Sequence, residues 1–137
     1  MHYVITVSII LKEFQMRVDK TKIVNGLVSY VESEVIPKIS DDKAMQIILS
    51  IGVNTLKGNK SLTNKFFDNE IIKIMGQYEN DTYNLDAIFI AARDSISKYG
   101  YLPVKIPAIS FISPTEKELK FSAEDIIALK SYIEGAV

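Results

Sequence analysis

The last third of the chain constrains the fold most. Val104-Lys105-Ile106-Pro107-Ala108-Ile109-Ser110-Phe111-Ile112 leads into the polar bend Ser113-Pro114-Thr115-Glu116-Lys117, and Glu118-Leu119-Lys120-Phe121 follows. Short apolar runs interrupted by proline cannot continue a helix, because proline lacks the amide donor and clashes with the preceding turn. Separated by a polar bend, they predict a β-hairpin. Ser122-Ala123-Glu124-Asp125 then opens the run Ile126-Ile127-Ala128-Leu129-Lys130-Ser131-Tyr132-Ile133. A serine followed three residues later by a carboxylate is a capping-box start, here with Asp in place of the longer Glu. The expected unit is a hairpin feeding a terminal helix, with no reactive side chain among the apolar residues of the hairpin.

Upstream, four-residue and three-residue apolar spacings predict helices. Ile23, Leu27, Val31 and Val35, widened by Val24 and Val28, form the core face of a first helix from Asp19 or Thr21 to Ile36, stopped by Pro37. Ser40-Asp41-Asp42 supplies capping oxygens for a second helix carrying Met45, Ile48, Leu49, Val53 and Leu56 and ending at Gly58. The short connection between them predicts an antiparallel pair. Ser61 is the expected cap of a short third helix holding Leu62, Phe66 and Phe67, and Asn69 of a further turn or two ending at Gly76. Gln77 to Asn84 reads as a loop. Leu85, Ile88, Phe89, Ala92 and Ile96 mark the inner face of a helix from Leu85 to Tyr99, with Gly100 as its stop. The predicted fold class is mainly α: one helical domain of about five helices over residues 16–137, with a small β-hairpin before the C-terminal helix.

Residues 1–15 stand apart as an apolar N-terminal extension. Tyr3-Val4-Ile5-Thr6-Val7-Ser8-Ile9-Ile10-Leu11 is far shorter than the about 20 apolar residues of a membrane span, and it has neither a basic leader nor a small-residue cleavage site. It reads either as an edge strand or as an upstream extension whose natural start is Met16. The second reading is favoured because Met16-Arg17-Val18-Asp19 runs straight into the first capped helix. No membrane association is expected.

Composition removes several kinds of chemistry. At 137 residues with 47% hydrophobic and 24% charged residues, the chain can build a core without a disulfide or a metal. It has no cysteine, which excludes thiol nucleophiles and thiolate metal sites. Its one histidine, His2, lies at the extreme terminus, so histidine acid–base catalysis and zinc sites built from His and Cys lack their ligands. The net charge is −1, from 16 basic and 17 acidic residues, with arginine only at Arg17 and Arg93. A nucleic-acid partner is not expected, since nonspecific binding needs a positive surface and guanine reading is chiefly an arginine contact.

Local motifs point the same way. Gly58-Asn59-Lys60-Ser61 resembles the end of a phosphate loop, but Asn59 intrudes before the lysine and a helix precedes it. Helix–turn–helix spacing around the same residues would offer Asn64, Lys65 and Asp68 to DNA, yet Phe66 and Phe67 fit a core better. Counting a calcium loop from Glu79 places Asn84 and Ile90 where glycine and glutamate are required. Asp41-Asp42 and Glu124-Asp125 sit at helix starts, where the helix dipole favours negative charge, so capping outweighs acid–base work. Asn59-Lys60-Ser61 and Asn80-Asp81-Thr82 match the glycosylation sequon without an accompanying secretory signal. No catalytic residue, cofactor or metal is assigned.

The candidates for recognition are aromatic. Tyr99-Gly100-Tyr101-Leu102-Pro103 lies where a helix becomes an extended strand, and Tyr78 and Tyr83 lie nearby in sequence. Tyrosine suits interfaces because it joins a large apolar ring to a polar tip. Tyr99, Tyr101, Pro103 and, on the hairpin, Phe111 are the expected protein-contact residues. The competing reading is a helix end packed by its flanking rings.

Two stretches carry a resemblance. Val24-Asn25-Gly26-Leu27-Val28-Ser29-Tyr30-Val31-Glu32-Ser33-Glu34-Val35-Ile36-Pro37-Lys38 is the first. Ile109-Ser110-Phe111-Ile112-Ser113-Pro114-Thr115-Glu116-Lys117 with Phe121-Ser122-Ala123-Glu124-Asp125 is the second. From Met16 onward the chain resembles small uncharacterised proteins encoded in bacterial phages and prophages. The resemblance implies a phage context and assigns no functional residue. Joined to the missing catalytic groups, it leads to the expectation of a non-enzymatic phage protein: a structural or assembly component of the virion, tail-associated, made in the cytoplasm and acting through protein–protein contacts. The alternative is a phage accessory protein that antagonises a host defence or regulatory system, by binding a host protein or a small signalling molecule. By analogy with virion parts, a homo-oligomer is expected.

Overall fold

The computed structural model describes residues 16–68 and 82–136. It is mainly helical, with two small antiparallel strand pairs, one of them immediately before the final helix. The extension Met1–Gln15, the turns expected from Asn69 to Gly76 and the loop residues 77–81 lie outside the described residues.

Strand β1 (Arg17–Val18) leads into α1 (Lys20–Tyr30). Asp19 caps α1, its carboxylate accepting the Lys22 amide hydrogen at 2.8 Å. Ile23, Val24, Leu27 and Val28 are buried along the expected face. The helical path does not stop before Pro37. It widens into a π turn over Val31–Val35, where the Ile36 amide donates to the Val31 carbonyl, then tightens into a 3-10 turn over Ile36–Ile39. Pro37 occupies the first turn of that 3-10 segment, a position where its missing amide hydrogen costs nothing. The wide turn has a physical use. A strict four-residue apolar repeat drifts ahead of a turn of about 3.6 residues, and one turn closed five residues back takes that drift out. Val31 is fully buried and Val35 still packs against the core.

Asp42 caps α2 (Lys43–Gly58) by accepting from the Met45 amide at 3.0 Å. Leu49, Val53 and Leu56 are buried, and Gln46 Nε2 donates to the Ile36 carbonyl at 2.8 Å, tying α2 to the irregular turn. The cap of α3 (Lys60–Phe66) is Asn59, not the expected Ser61. Its side-chain oxygen accepts from the Leu62 amide at 3.1 Å while its extended backbone ends α2. One asparagine thus closes one helix and opens the next, leaving Ser61 exposed inside the first turn. Phe66 and Phe67 enter the core edge to face, their centroids 5.4 Å apart.

The expected loop ends early. Tyr83–Asn84 forms β2, which pairs antiparallel with β1, Arg17 opposite Asn84 and Val18 opposite Tyr83. Asn84 also caps α4 (Leu85–Tyr99), accepting from the Ala87 amide at 3.1 Å. Gly100, at φ +90°, ends α4 in the left-handed region that only glycine enters without strain. Strand β3 (Leu102–Ile106) then pairs antiparallel with β4 (Lys117–Phe121), Leu102 opposite Phe121 and Ile106 opposite Lys117. The first strand starts earlier than expected and stops before Pro107. The apolar run Ile109–Ile112 is not strand: the Ile112 and Ser113 amides both donate to the Ile109 carbonyl at 2.9 Å, so it closes on itself. Proline at 107 removes the donor that an extended ladder would need.

Ser122 and Asp125 form the full capping box of α5 (Ala123–Gly135). Asp125 N–H donates to Ser122 Oγ at 3.2 Å, and Ser122 N–H donates to Asp125 Oδ2 at 2.8 Å. Ile126, Leu129 and Ile133 face inward, and α5 crosses α1 where Gly26 meets Ile133. Leu102, Val104, Ile106 and Phe121 give the hairpin one buried face, which joins the helices in a single core. Among the described residues, no helix is long and apolar enough to cross a membrane.

Candidate functional site

Three of the expected contact residues share one site. Tyr99 at the end of α4, Tyr101 after Gly100, and Pro103 on β3 line an open groove of about 870 Å³. Gly100 makes this possible, because its left-handed turn swings the chain from the helix axis into the strand and sets the two tyrosines on either side of the corner. Lys65 and Asp68, from α3 and the turn after it, line the groove along with Glu116 and Glu118 from the hairpin. Tyr99 is 66% exposed and Tyr101 37% exposed, so part of each ring stands at the surface.

The electrostatics are mixed rather than of one sign. Lys65 Nζ lies 3.0 Å from Glu116 Oε1 and bridges α3 to the hairpin connection. Lys105 stands directly opposite Glu118 in the β3–β4 register. Lys120 Nζ sits 5.0 Å from the centre of the Tyr101 ring, and Lys98 Nζ 5.3 Å from that of Tyr99, both within cation–π range. Aromatic plates, a proline and alternating charges suit an extended polypeptide segment, which offers both signs and apolar side chains. A small anion would meet three carboxylates here.

Phe111 is placed elsewhere. It projects from the turn between β3 and β4, 83% exposed, and does not line the groove. Tyr83 is not a surface residue: it is 3% exposed and stacks on Phe67 at 5.3 Å between centroids. Tyr78 lies outside the described residues. Arg93 is exposed in the middle of α4. The carboxylates Asp42 and Asp125 serve as helix caps, as expected from their positions.

Sequence reasoning missed a second polar cluster, under α5. The Tyr30 hydroxyl donates to Asp125 Oδ1 at 2.7 Å, and the Tyr132 hydroxyl donates to Glu34 Oε1 at 2.9 Å. The two rings lie 5.6 Å apart, and Tyr30 also meets Phe121 edge to face at 5.5 Å. Burial pushes the Tyr30 phenol well up, and its hydrogen bond to the Asp125 carboxylate adds to the shift. Burial alone would raise Asp125, but hydrogen bonds from the Ser122 amide, the Tyr30 hydroxyl and the Ser122 hydroxyl outweigh it and hold the carboxyl below its ordinary value. Tyr132 is raised chiefly by its hydrogen bond to Glu34. A signal did exist: a tyrosine in a buried stripe must place its hydroxyl against a partner. This cluster binds α5 to α1 and is closed off by its own hydrogen bonds. Comparison of the chain with protein-family models, with curated proteins and with solved structures finds no match.

Proposed function

We propose that this chain is a non-enzymatic interaction protein whose working surface is the tyrosine-lined groove between α3, the end of α4 and the hairpin. The observation that carries the reading is the joint exposure of Tyr99 and Tyr101 beside Pro103 on one open groove. Large rings left at the surface around a shaped depression are the composition of a protein-contact site. The mixed charges of Lys65, Asp68, Lys105 and Glu118 favour a polypeptide partner over a nucleic acid or a small anion. Phe111 provides a separate, isolated apolar contact at the hairpin turn.

The resemblance to phage-encoded proteins gives the context: a structural or assembly component of a virion, tail-associated, made in the cytoplasm and then built into the particle. Mass spectrometry and immuno-electron microscopy of purified particles and assembly intermediates provide the test. Presence in either supports the assignment, and a Tyr99→Ala/Tyr101→Ala variant is then expected to be excluded from them. Absence from both removes the virion assignment. Recovery of a host protein on the wild-type groove, lost in the same variant, would then establish the antagonist role in its place.

A further inference from the structure

We infer that β4 is a self-pairing edge, and that two copies of this chain associate by antiparallel β4–β4 pairing about a two-fold axis at Leu119. The hairpin is a two-stranded sheet, so each strand has one outer edge. The β3 side is blocked at its C-terminal end: Ile106 and Pro107 press against α2 at Gly52, where an added Cβ would lie 3.2 Å from the Pro107 carbonyl oxygen. Pro103 also removes a donor from that strand. Among the described residues, β3 is the only strand neighbour of β4, and no backbone hydrogen bond from Lys117–Phe121 leaves the hairpin. Its outer amides and carbonyls are available for a further strand.

The sequence of β4 selects its own copy as that strand. It reads Lys117-Glu118-Leu119-Lys120-Phe121. Laid antiparallel on a second β4 and centred on Leu119, it places Glu118 opposite Lys120 of the second copy, Lys120 opposite Glu118, and Leu119 opposite Leu119. Both charge pairs fall on the exposed face, and both leucines fall on the half-buried face. Opposite charges directly across a strand pair are favourable and like charges are not. The neighbouring two-fold registers fail. Centring on Glu118 or on Lys120 sets that charge against itself. Centring between two residues joins the core face of one hairpin to the solvent face of the other, which a sheet with one buried side resists.

The intrachain pairing extends the pattern. Lys105 stands opposite Glu118 and Pro103 opposite Lys120, so each row of the joined sheet would run Lys105, Glu118, then Lys120 of the second copy. An edge guarded against association carries charges that repel their own kind. This one is complementary to itself. An isologous contact of this sort closes after two copies. It shares Glu118 and Lys120 with the tyrosine groove, where Glu118 lines the wall and Lys120 sits over Tyr101. The pairing nevertheless runs along the outer backbone edge of β4 and is read by self-association, so its failure is distinguishable from failure of the proposed function.

Sedimentation of the full chain up to millimolar concentration tests the inference, with circular dichroism to confirm that each variant is folded. The wild type is expected to show a reversible monomer–dimer equilibrium. Glu118→Lys and Lys120→Glu should each raise the dimer dissociation constant by about tenfold or more, because each converts two attractive pairs into two repulsive ones. An equimolar mixture of the two variants should associate again, since its heterodimer restores opposite charges at both positions. A wild type that remains monomeric overturns the inference, as does a dimer indifferent to both substitutions, a mixture that fails to associate, or a dimer lost only when residues 1–15 are removed.

Discussion

The hydroxyl of Tyr30 donates a 2.7 Å hydrogen bond to the carboxylate of Asp125, joining residues 95 positions apart through the cap of the final helix. Asp125 uses its other oxygen to accept from the Ser122 amide at 2.8 Å, so one side chain both starts α5 and fastens it to α1. Tyr30→Phe keeps the ring contacts with Phe121 and Tyr132 and removes only the donor. Hydrogen bonds to a charged group contribute more than neutral ones, and the expected loss of stability is about 1.5 kcal/mol by denaturant titration.

The pH profile of stability should show the same pair. Asp125 has a folded pKa below its ordinary 3.8, so its contribution is complete above about pH 4 and is lost as the pH falls through the folded value. Tyr30 has a folded pKa above its ordinary 10.0, so its contribution is complete below about pH 10 and is lost as the pH rises beyond it. Thermal denaturation across pH should therefore give a plateau with a fall on each side. In Tyr30→Phe the alkaline fall should shrink without vanishing, because Tyr132 is also raised, through Glu34. The acid fall should shrink as well, since Asp125 loses one of the hydrogen bonds that hold its folded pKa below the unfolded value. A variant with the wild-type profile at both ends would break this account.

Gly26→Ala separates helix propensity from packing. In an exposed helix interior the change would stabilise by about 1 kcal/mol. Here a Cβ at position 26 would overlap Ile133, coming within 2.7 Å of its amide nitrogen. Part of the obstruction is backbone, so α5 must move off α1. The expected result is a loss of about 3 kcal/mol, at the upper end for overpacked sites. Ile133→Ala in the same chain should not restore stability, because the Ile133 backbone remains in the way. Recovery in the double variant would place the conflict in the side chain instead.

Much of this fold is readable in order along the chain, because capping and amphipathic spacing are local. Asp19, Asp42 and Ser122 begin helices where a short polar side chain precedes an apolar stripe, and Gly100 ends one where only a left-handed residue will serve. The π turn at Val31–Val35 is written only in the strictness of a four-residue repeat, which a helix reading accepts without asking where the drift goes. The pairing of Arg17–Val18 with Tyr83–Asn84 has no legible signal, since two residues cannot show a period. The groove is illegible for a different reason. Tyr99 and Tyr101 announce themselves beside a glycine corner, but Lys65 and Asp68 come from a helix whose position is set by Phe66 and Phe67 packing into the core.

The double duty of Asn59 predicts a local lesion. Asn59→Ala leaves the Leu62 amide without its 3.1 Å acceptor at the start of α3. Loss of an N-cap costs about 1 kcal/mol. The Thr63 hydroxyl, which donates to the Leu56 carbonyl at 3.1 Å, still holds the two helices together across the junction. The damage should therefore stay local: hydrogen exchange is expected to quicken at the α3 amides and remain slow in α1 and α5. Asn59→Asp keeps the acceptor and should lose no more than about 0.5 kcal/mol. Equal loss for both variants would mean that the side-chain acceptor is not what positions α3.

Phe111 and Phe121 stand ten residues apart in one hairpin and should answer the same substitution in opposite ways. Phe121 is 2% exposed, packed edge to face on Tyr30 and opposite Leu102 in the sheet, whereas Phe111 is 83% exposed in the connecting turn. Removing a buried phenylalanine ring costs about 3–5 kcal/mol, a large part of the stability of a domain this size. Phe121→Ser should accordingly unfold the chain or lower its melting temperature steeply, with loss of the near-ultraviolet tyrosine signal. Phe111→Ser should melt within the error of the wild type, because a ring that is 83% exposed has little packing to lose. If Phe111 is a contact residue, its truncation should instead weaken partner capture by the folded protein. A destabilised Phe111→Ser would show that the turn is held by that ring, and would withdraw Phe111 from the interaction surface.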